Sequence, residues 1–515
     1  MAKEQPSPQQ VLLALTYYFI DRGFAIREPV QQRPQTWLAP LLRGVPPEMA
    51  SMLRRPTFDP AFYQAITGKK WPDLGGEGDE HTVLVHDPKH VETLLSQPLT
   101  NFTPGAKQIA SMALFQPQAV SPTTDPDDFV RRRGVNEEVL QNPVRNHSEA
   151  ERYLAVLRDA ASRLDVGLDC LRWGAIDKLT KELALGVCWG RFDPSLQNLL
   201  DECMRLANAL GLVDLLKALV AQMTPDPKEA EKRLGLLIAQ FPPDIRRRCQ
   251  TVMGSEVQKY QTREALHAWI GERLPQAAEG SLAAQLQQQV SDKKIKADEA
   301  PDQLCHWLFA VRGTTASLTA YALSFLAADH SLQRQLRGDL LRDHGSVASV
   351  HAALAQGERS DSLDALEQLA LEAGRLYPPV PFTVRNAAEG GELPKGFPDG
   401  PNFMVHTAGN SRLEKFVGDK PAGVCPQRWA ARDTDTPEID GKGLAGATIF
   451  GGGEKRCPGM NLGLMLTSGL LAHFLLGYEL QEVKQHAAHE APMNTENTPA
   501  VFDQFGIEIR LSAIA

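Results

Sequence analysis

"IFGGGEKRCPGMNLG", residues 449–463, sets a run of glycines and the basic pair Lys455–Arg456 directly before Cys457, with Pro-Gly behind it. A cysteine that only packs in a core has no use for such a backbone. A metal takes the thiolate, and backbone N–H groups or a helix N-terminus stabilise that form. Gly451, Gly452 and Gly453 let the chain turn tightly with its amides inward. Pro458 suits the first turn of a helix, Gly459 permits close approach by something flat, and Phe450 can shield the sulfur. Cys457 therefore reads as a metal ligand where a loop enters a helix. The simpler alternative, a glycine-rich hairpin with an incidental thiol, leaves the glycine and phenylalanine spacing unexplained. A phosphate loop fits less well, because Lys455 is not followed by Ser or Thr and no strand leads into a GxxxxGK pattern.

The 515 residues exceed one ordinary core, which holds roughly 100–200. The chain is either several modules or one large, mainly helical domain. Hydrophobic content of 43% and charged content of 23% are those of a soluble globular protein. A net charge of −9 argues against nucleic acid as a partner. The cysteines at 170, 188, 203, 249, 305, 425 and 457 are scattered and form no CxxC pair. Neither a zinc ribbon nor a disulfide framework is indicated, and reduced thiols suit a cytoplasmic protein. The apolar run "VLLALTYYFI" (11–20) ends at Asp21 and Arg22, short of the ~20 residues a membrane span needs. It reads as an amphipathic first helix, so no integral membrane segment is expected.

Residues 1–80 are rich in proline and glycine and read as an extension packed on a domain spanning 81–515. "HTVLVHDPKHVETLLSQ" (81–97) predicts a strand, a turn at Asp87-Pro88 and a helix from about Lys89. Residues 98–128 lack periodicity and read as a long loop region, of the kind that often lies over a site. From 129 to 345 apolar residues recur at three- and four-residue spacing. The stretch 302–328 is apolar almost all round, which predicts a buried central helix. After 376, "PPVPFTVRNA", "NFMVHT" and "FGIEIRLS" are short β-like runs, and "MNLGLMLTSGLLAHFLLGY" is a last helix behind Cys457.

Phe450, Gly453, Cys457 and Gly459 match the pattern FxxGxxxCxG, and here the chain resembles the cytochrome P-450 family of haem-thiolate monooxygenases, in its soluble bacterial type. The resemblance implies a single large, mainly α domain with small β-sheets. Haem b would lie between the long central helix and the cysteine loop, with Cys457 as axial ligand. Phe450, Gly451, Lys455 and Gly459 would line it. The family usually carries Arg or His at position 455; lysine can pair with a carboxylate but lacks the fork of arginine. Glu372 and Arg375, one helical turn apart and followed by Pro-Pro-Val-Pro, resemble the family's ExxR helix. Arg428 in "CPQRWA" (425–430) would complete a buried network of structural role.

Within "LFAVRGTTAS" (308–317) the resemblance places Ala310, Val311, Arg312, Gly313, Thr314 and Thr315 on the oxygen-activating segment. Thr314, with Thr315 beside it, would be the proton-delivering threonine, and Ala310 would touch the cofactor. The usual acid is absent, with Gly313 in its place, and Val311 replaces a glycine. Arg312 inside an apolar helix calls for a partner. It has either a neighbouring helix or a snorkelling route to solvent, or it faces the pocket with Val311 and binds an anionic substrate. Arg133 in "FVRRRGVNEEVL", Arg385 in "VPFTVRNA" and His406 are candidates for the haem carboxylates, with Phe382 and Thr383 near substrate. The three arginines at 131–133 can equally be a solvated face or a docking patch.

The implied reaction inserts one oxygen atom from O2 into an apolar small molecule. No flavin or iron–sulfur module is visible in the chain, so electrons would come from a separate ferredoxin or flavodoxin-type partner. The missing acid and Arg312 keep open a peroxide-using or oxygen-rearranging enzyme. A non-catalytic haem protein is the third reading, against which the retained Thr314 speaks.

Overall fold

A computed structural model describes residues 82–141, 146–164, 170–223, 226–380, 382–397, 402–411, 423–429, 449–482 and 507–514, apart from 86, 240 and 242. The expected extension 1–80, the apolar run 11–20 within it and the segment 430–448 lie outside the described residues.

The chain opens with strand β1 (Thr82–Val85) and helix α1 (Pro88–Ser96), where Asp87 caps the helix by accepting from the Lys89 and His90 N–H groups. The proline at the first helical position explains the start one residue before the expected one. Residues 98–128, expected as loop, contain strand β2 (Phe102–Pro104) and helix α2 (Ala106–Met112), both too short to show periodicity. Helices α3 (Pro126–Leu140) and α4 (Ala150–Ser162), strand β3 (Cys170–Arg172) and helices α5 (Trp173–Cys188) and α6 (Pro194–Met223) follow. Then come α7 (Pro227–Ala239), α8 (Pro243–Met253), α9 (Glu256–Arg273) and α10 (Leu282–Ser291). The central helix α11 spans Ala300–Ala328, and α12 (His330–His344), α13 (Val347–Gln356) and α14 (Asp361–Leu376) lead to β4 (Phe382–Ala387) and β5 (Asn402–His406). A single turn, α15 (Thr407–Asn410), precedes the cysteine loop, helix α16 (Met460–Gly477), β6 (Tyr478–Glu482) and β7 (Glu508–Ala513).

Helices form the body, and the strands make two small sheets. One has the order β1-β5-β4-β2, with β1 parallel to β5 and the other pairs antiparallel; the second is β3-β7-β6, all antiparallel. β6 directly continues α16, where the sequence suggested only helix.

α11 sits at the centre, packed on α5, α14 and α16. Its two ends are buried all round, which is what a helix apolar on every face requires. α16 is apolar enough by length and composition to cross a membrane, but 78% of it is buried inside the protein. It is a core helix, covered by α4, α13, α14 and α11.

Candidate active site

The cysteine loop is built on two left-handed glycines, Gly451 (φ +73°) and Gly453 (φ +57°). Gly453 has no alternative residue type: a Cβ there would stand 2.7 Å from the Leu95 carbonyl oxygen and 2.9 Å from the Ser96 Cα, both main chain. One 3-10 turn, Gly453–Lys455, then brings the Cys457 N–H to within 2.7 Å of the Phe450 carbonyl oxygen. α16 starts three residues on. The Cys457 thiol is half-buried, whereas Cys188, Cys203, Cys249 and Cys305 are fully buried. Burial raises the pKa of Cys457, and the Gly459 N–H and the charge of Arg133 work against that rise. A Cβ on Gly459 would touch only Leu140, at 3.8 Å, so the protein's own packing does not require glycine there.

Opposite this loop lies a distinctive face of α11. Between two buried ends, His306 and every residue from Phe309 to Thr314 are partly or fully exposed, and His306, Phe309, Ala310, Gly313 and Thr314 among them fall on one side. Their spacing is that of one helix face. A Cβ on Gly313 would meet nothing within 4 Å. One turn further, Leu318 reaches the same point as Ile449 of the cysteine loop: they lie 3.0 and 3.1 Å from where a Cβ on Gly374 would stand. The open face of α11, helix α14 and the loop thus converge on one space.

Thr314 donates its hydroxyl to the Ala310 carbonyl at 2.7 Å, the resting bond of a helical threonine. Thr315, expected beside it in the site, is 1% exposed and turns into the packing with its Oγ1 unpartnered. The next residue on a helix points about 100° away, so the two threonines cannot share one face. Val311 packs against the core.

Arg312 has its partners inside the protein. It pairs with Asp201 of α6 and, at 3.3 Å, with Asp177 of α5. Of the two readings of Arg312, the partner on a neighbouring helix is the one seen, and the paired side chain also lines the small cavity beside α11.

The basic residues divide in the same way. Arg133 donates to the Arg456 carbonyl and to Glu137, so it braces the cysteine loop. This differs from the haem-carboxylate contact expected of it. Arg131 and Arg132 both bind Glu299 at the start of α11 and lock α3 to that helix; they are not an open docking patch. Arg385 on β4 stands apart. It is 7% exposed, it donates to the neighbouring Val384 carbonyl at 3.2 Å, and burial lowers its pKa to about 10. Lys455 donates to the Phe102 carbonyl of β2, and burial with Arg385 close by lowers its pKa to about 7. The buried Arg385 and the half-buried Lys455 lie near each other with no ion pair to a carboxylate among the described residues, a place that suits an anion. Thr383 shares the face of β4 with Arg385. Phe382 and His406 pair across β4 and β5 by backbone; their side chains lie outside the described residues.

Glu372 and Arg375 are fully buried and pair through two hydrogen bonds of 2.6 and 2.8 Å. Glu372 also accepts from Arg428 (3.2 Å), the Cys425 N–H (2.8 Å) and the Trp429 indole (3.0 Å). Arg375 reaches the carbonyls of Ser411 and Gly423. The network ties α14 to the segment before the cysteine loop. Trp429 was not singled out in the sequence, although its place beside Arg428 signals it. His306 and Phe309 were also missed; counting back eight and five residues from Thr314 finds both. His306 lies 3.4 Å from the Ser121 hydroxyl, and burial lowers its pKa to about 4, so the ring is neutral.

Among the described residues no three His, Cys, Asp or Glu side chains gather as a metal site. A metal at Cys457 would need a cofactor that carries its other ligands. A half-buried thiol, an open helix face opposite and an anion site of Arg385 and Lys455 fit haem, a flat group with two carboxylates.

A family model, "Cytochrome P450", matches residues 193–500. Cytochrome P450 52A10 of Candida maltosa is 28% identical over 39% of this chain and 40% of its own length. Cytochrome P450 monooxygenase asaD of Aspergillus flavus is 24% identical over 42% and 40%. The chain therefore matches well under two thirds of these curated relatives. Among solved structures, retinoic acid bound cyanobacterial CYP120A1 superposes with a TM-score of 0.59 at 14% identity, over 84% of this chain and 90% of that one. That likeness is one of fold.

Proposed function

The chain belongs to the cytochrome P450 family, and from that premise we propose that it is a haem-thiolate monooxygenase that inserts one oxygen atom from O2 into an apolar organic substrate, with electrons from a separate ferredoxin or flavodoxin-type protein. The observation that carries the reading is the half-buried Cys457 together with the buried Arg385 and the half-buried Lys455, neither ion-paired to a carboxylate among the described residues. Haem, when bound, supplies one-electron and O2 chemistry, and thiolate ligation favours O–O cleavage.

Each residue then has a defined task. Cys457 would hold the iron through its thiolate. Arg385 and Lys455 hold the carboxylates, and Gly459 and Gly313 leave the faces clear. Phe115, Leu200, Met204, Leu308 and Phe309 line the apolar part of a small cavity beside α11, whose polar members are Lys181, Gln197 and Arg312. Thr314 Oγ1 exchanges its bond to the Ala310 carbonyl for one to the pocket and donates a proton there. With glycine at 313, the proton reaches Thr314 through water.

That same glycine favours a second reading, in which peroxide replaces O2 and brings its own protons. Turnover of an alkane and aromatic hydrocarbon panel under labelled O2, with a ferredoxin system, separates the two. One labelled oxygen atom per product is expected. Product formed only with peroxide, and carrying no label, would overturn the primary reading.

A further inference from the structure

Residues 113–118 run from α2 toward α3, and side chains from two helices hold their main chain. From α9, Arg263 donates to the Ala113 carbonyl and His267 Nε2 to the Phe115 carbonyl, both at 2.8 Å. From the first turn of α11, Gln303 donates to the Gln118 carbonyl at 2.8 Å, while Asp302 accepts from the Gln118 N–H at 3.1 Å. The Phe115 ring packs on Phe309 of the open helix face, with centroids 5.4 Å apart. Whatever fixes this segment therefore fixes one wall of the pocket.

The imidazole tautomer follows from chemistry. A carbonyl oxygen only accepts, so His267 carries its hydrogen on Nε2. Nδ1 of the neutral ring is then bare, and it lies 3.8 Å from Asp302 Oδ2. At that separation no hydrogen bond joins the two side chains, and each holds the segment through its own bond to the main chain.

We propose that Asp302 and His267, each bonded to the main chain of residues 113–118, act as a positioning pair that holds this segment, and with it Phe115, against the pocket. The use of the pocket rests on the reading above; the hold is a property of the chain alone. The charges facing Asp302 are Arg263 of α9 and Arg132 of α3, which favour the carboxylate, and Glu299 of α11, which opposes it. Arg132 is already bound to Glu299 and Arg263 to the Ala113 carbonyl. Burial outweighs them and pushes Asp302 up to about 7, and burial lowers His267. Asp302 therefore carries its proton below neutral pH in the closed segment, while His267 is neutral.

Opening the segment wets both groups, and they return toward roughly 4 and 6.5. Opening then releases the proton of Asp302, which alone makes opening easier as pH rises toward about 7. It also lets His267 bind a proton, which alone makes opening easier as pH falls below about 6.5. In the wild-type chain the two effects offset one another.

Hydrogen exchange of the 113–118 amides in the full chain as purified, corrected for intrinsic rates, tests this. Asp302→Asn keeps the acceptor for Gln118 and should open increasingly below pH about 6.5, by up to about tenfold per unit. His267→Gln keeps a donor for the Phe115 carbonyl and should show the reverse slope, with opening rising toward pH about 7. The wild type should vary far less than either. Parallel profiles in all three chains, or variants with slopes of one sign, would overturn the proposal. The haem spectrum of the same samples reports the oxygenase reading separately, so either can fail alone.

Discussion

Arg385 is a buried cation that donates to its neighbour's carbonyl, and it stands near Lys455 of the cysteine loop. Isolated charges are costly to bury. Arg385→Leu should therefore stabilise the haem-free protein, by about 1–3 kcal/mol, yet weaken haem retention. Unfolding melts of both forms with a haem-transfer assay check the two signs; a variant that loses stability and keeps haem would remove Arg385 from the site. Cys457, Gly453 and the Glu372–Arg375 pair were legible in the sequence because each declares itself over a few residues. Thr315 was not, because type alone does not show which way a helical side chain turns. Arg312 left alternatives open because its partners, Asp177 and Asp201, are remote in sequence and meet it only in the folded state.

The exposed face of α11 is an interruption in a helix otherwise buried at both ends, and Gly313 is its centre. Glycine inside a helix costs about 1 kcal/mol relative to alanine. No packing contact explains it, since a Cβ there meets nothing. Gly313→Ala should raise stability by about 1 kcal/mol and narrow the pocket. Gly313→Asp, which restores the acid of the family pattern, should raise O2-driven product formation relative to peroxide-driven formation. Denaturant unfolding and product yields per electron consumed measure these effects; an unchanged ratio in the Asp variant would show that water already serves Thr314 fully. The element itself was visible in the sequence, within two residues at its start. The short β2, α2 and β6 were not, because a three-residue strand or a two-turn helix carries no periodicity to read.

At the scale of the molecule, side-chain networks tie the helical body to the elements around the site. Glu372 joins α14 to the 423–429 segment, and Glu299 joins α11 to α3 through Arg131 and Arg132. Burial works to raise the Glu299 pKa, but the hydrogen bonds from Arg131 and Arg132 prevail and hold it near 2. Because this folded value lies below the unfolded one, the stabilisation is present above pH about 4.5 and is lost as pH falls toward about 2, up to about 3 kcal/mol in all. Wild type and Glu299→Gln should thus differ most in stability at neutral pH and converge in acid, as unfolding curves at several pH values would show; a constant difference would contradict the pairing. The domain class followed from the cysteine motif and the helical texture, and Arg385 and Lys455 were each legible as haem contacts, whereas the Asp302–His267 pair was illegible because only the fold assembles it. The account depends above all on Cys457 as the haem ligand. The optical spectrum of the reduced, carbon monoxide-treated protein, in wild type and Cys457→Ala, tests that most directly. A strongly red-shifted Soret band in the wild type, absent from the variant, is the predicted result; an unshifted band in both, or no haem after reconstitution, would contradict it.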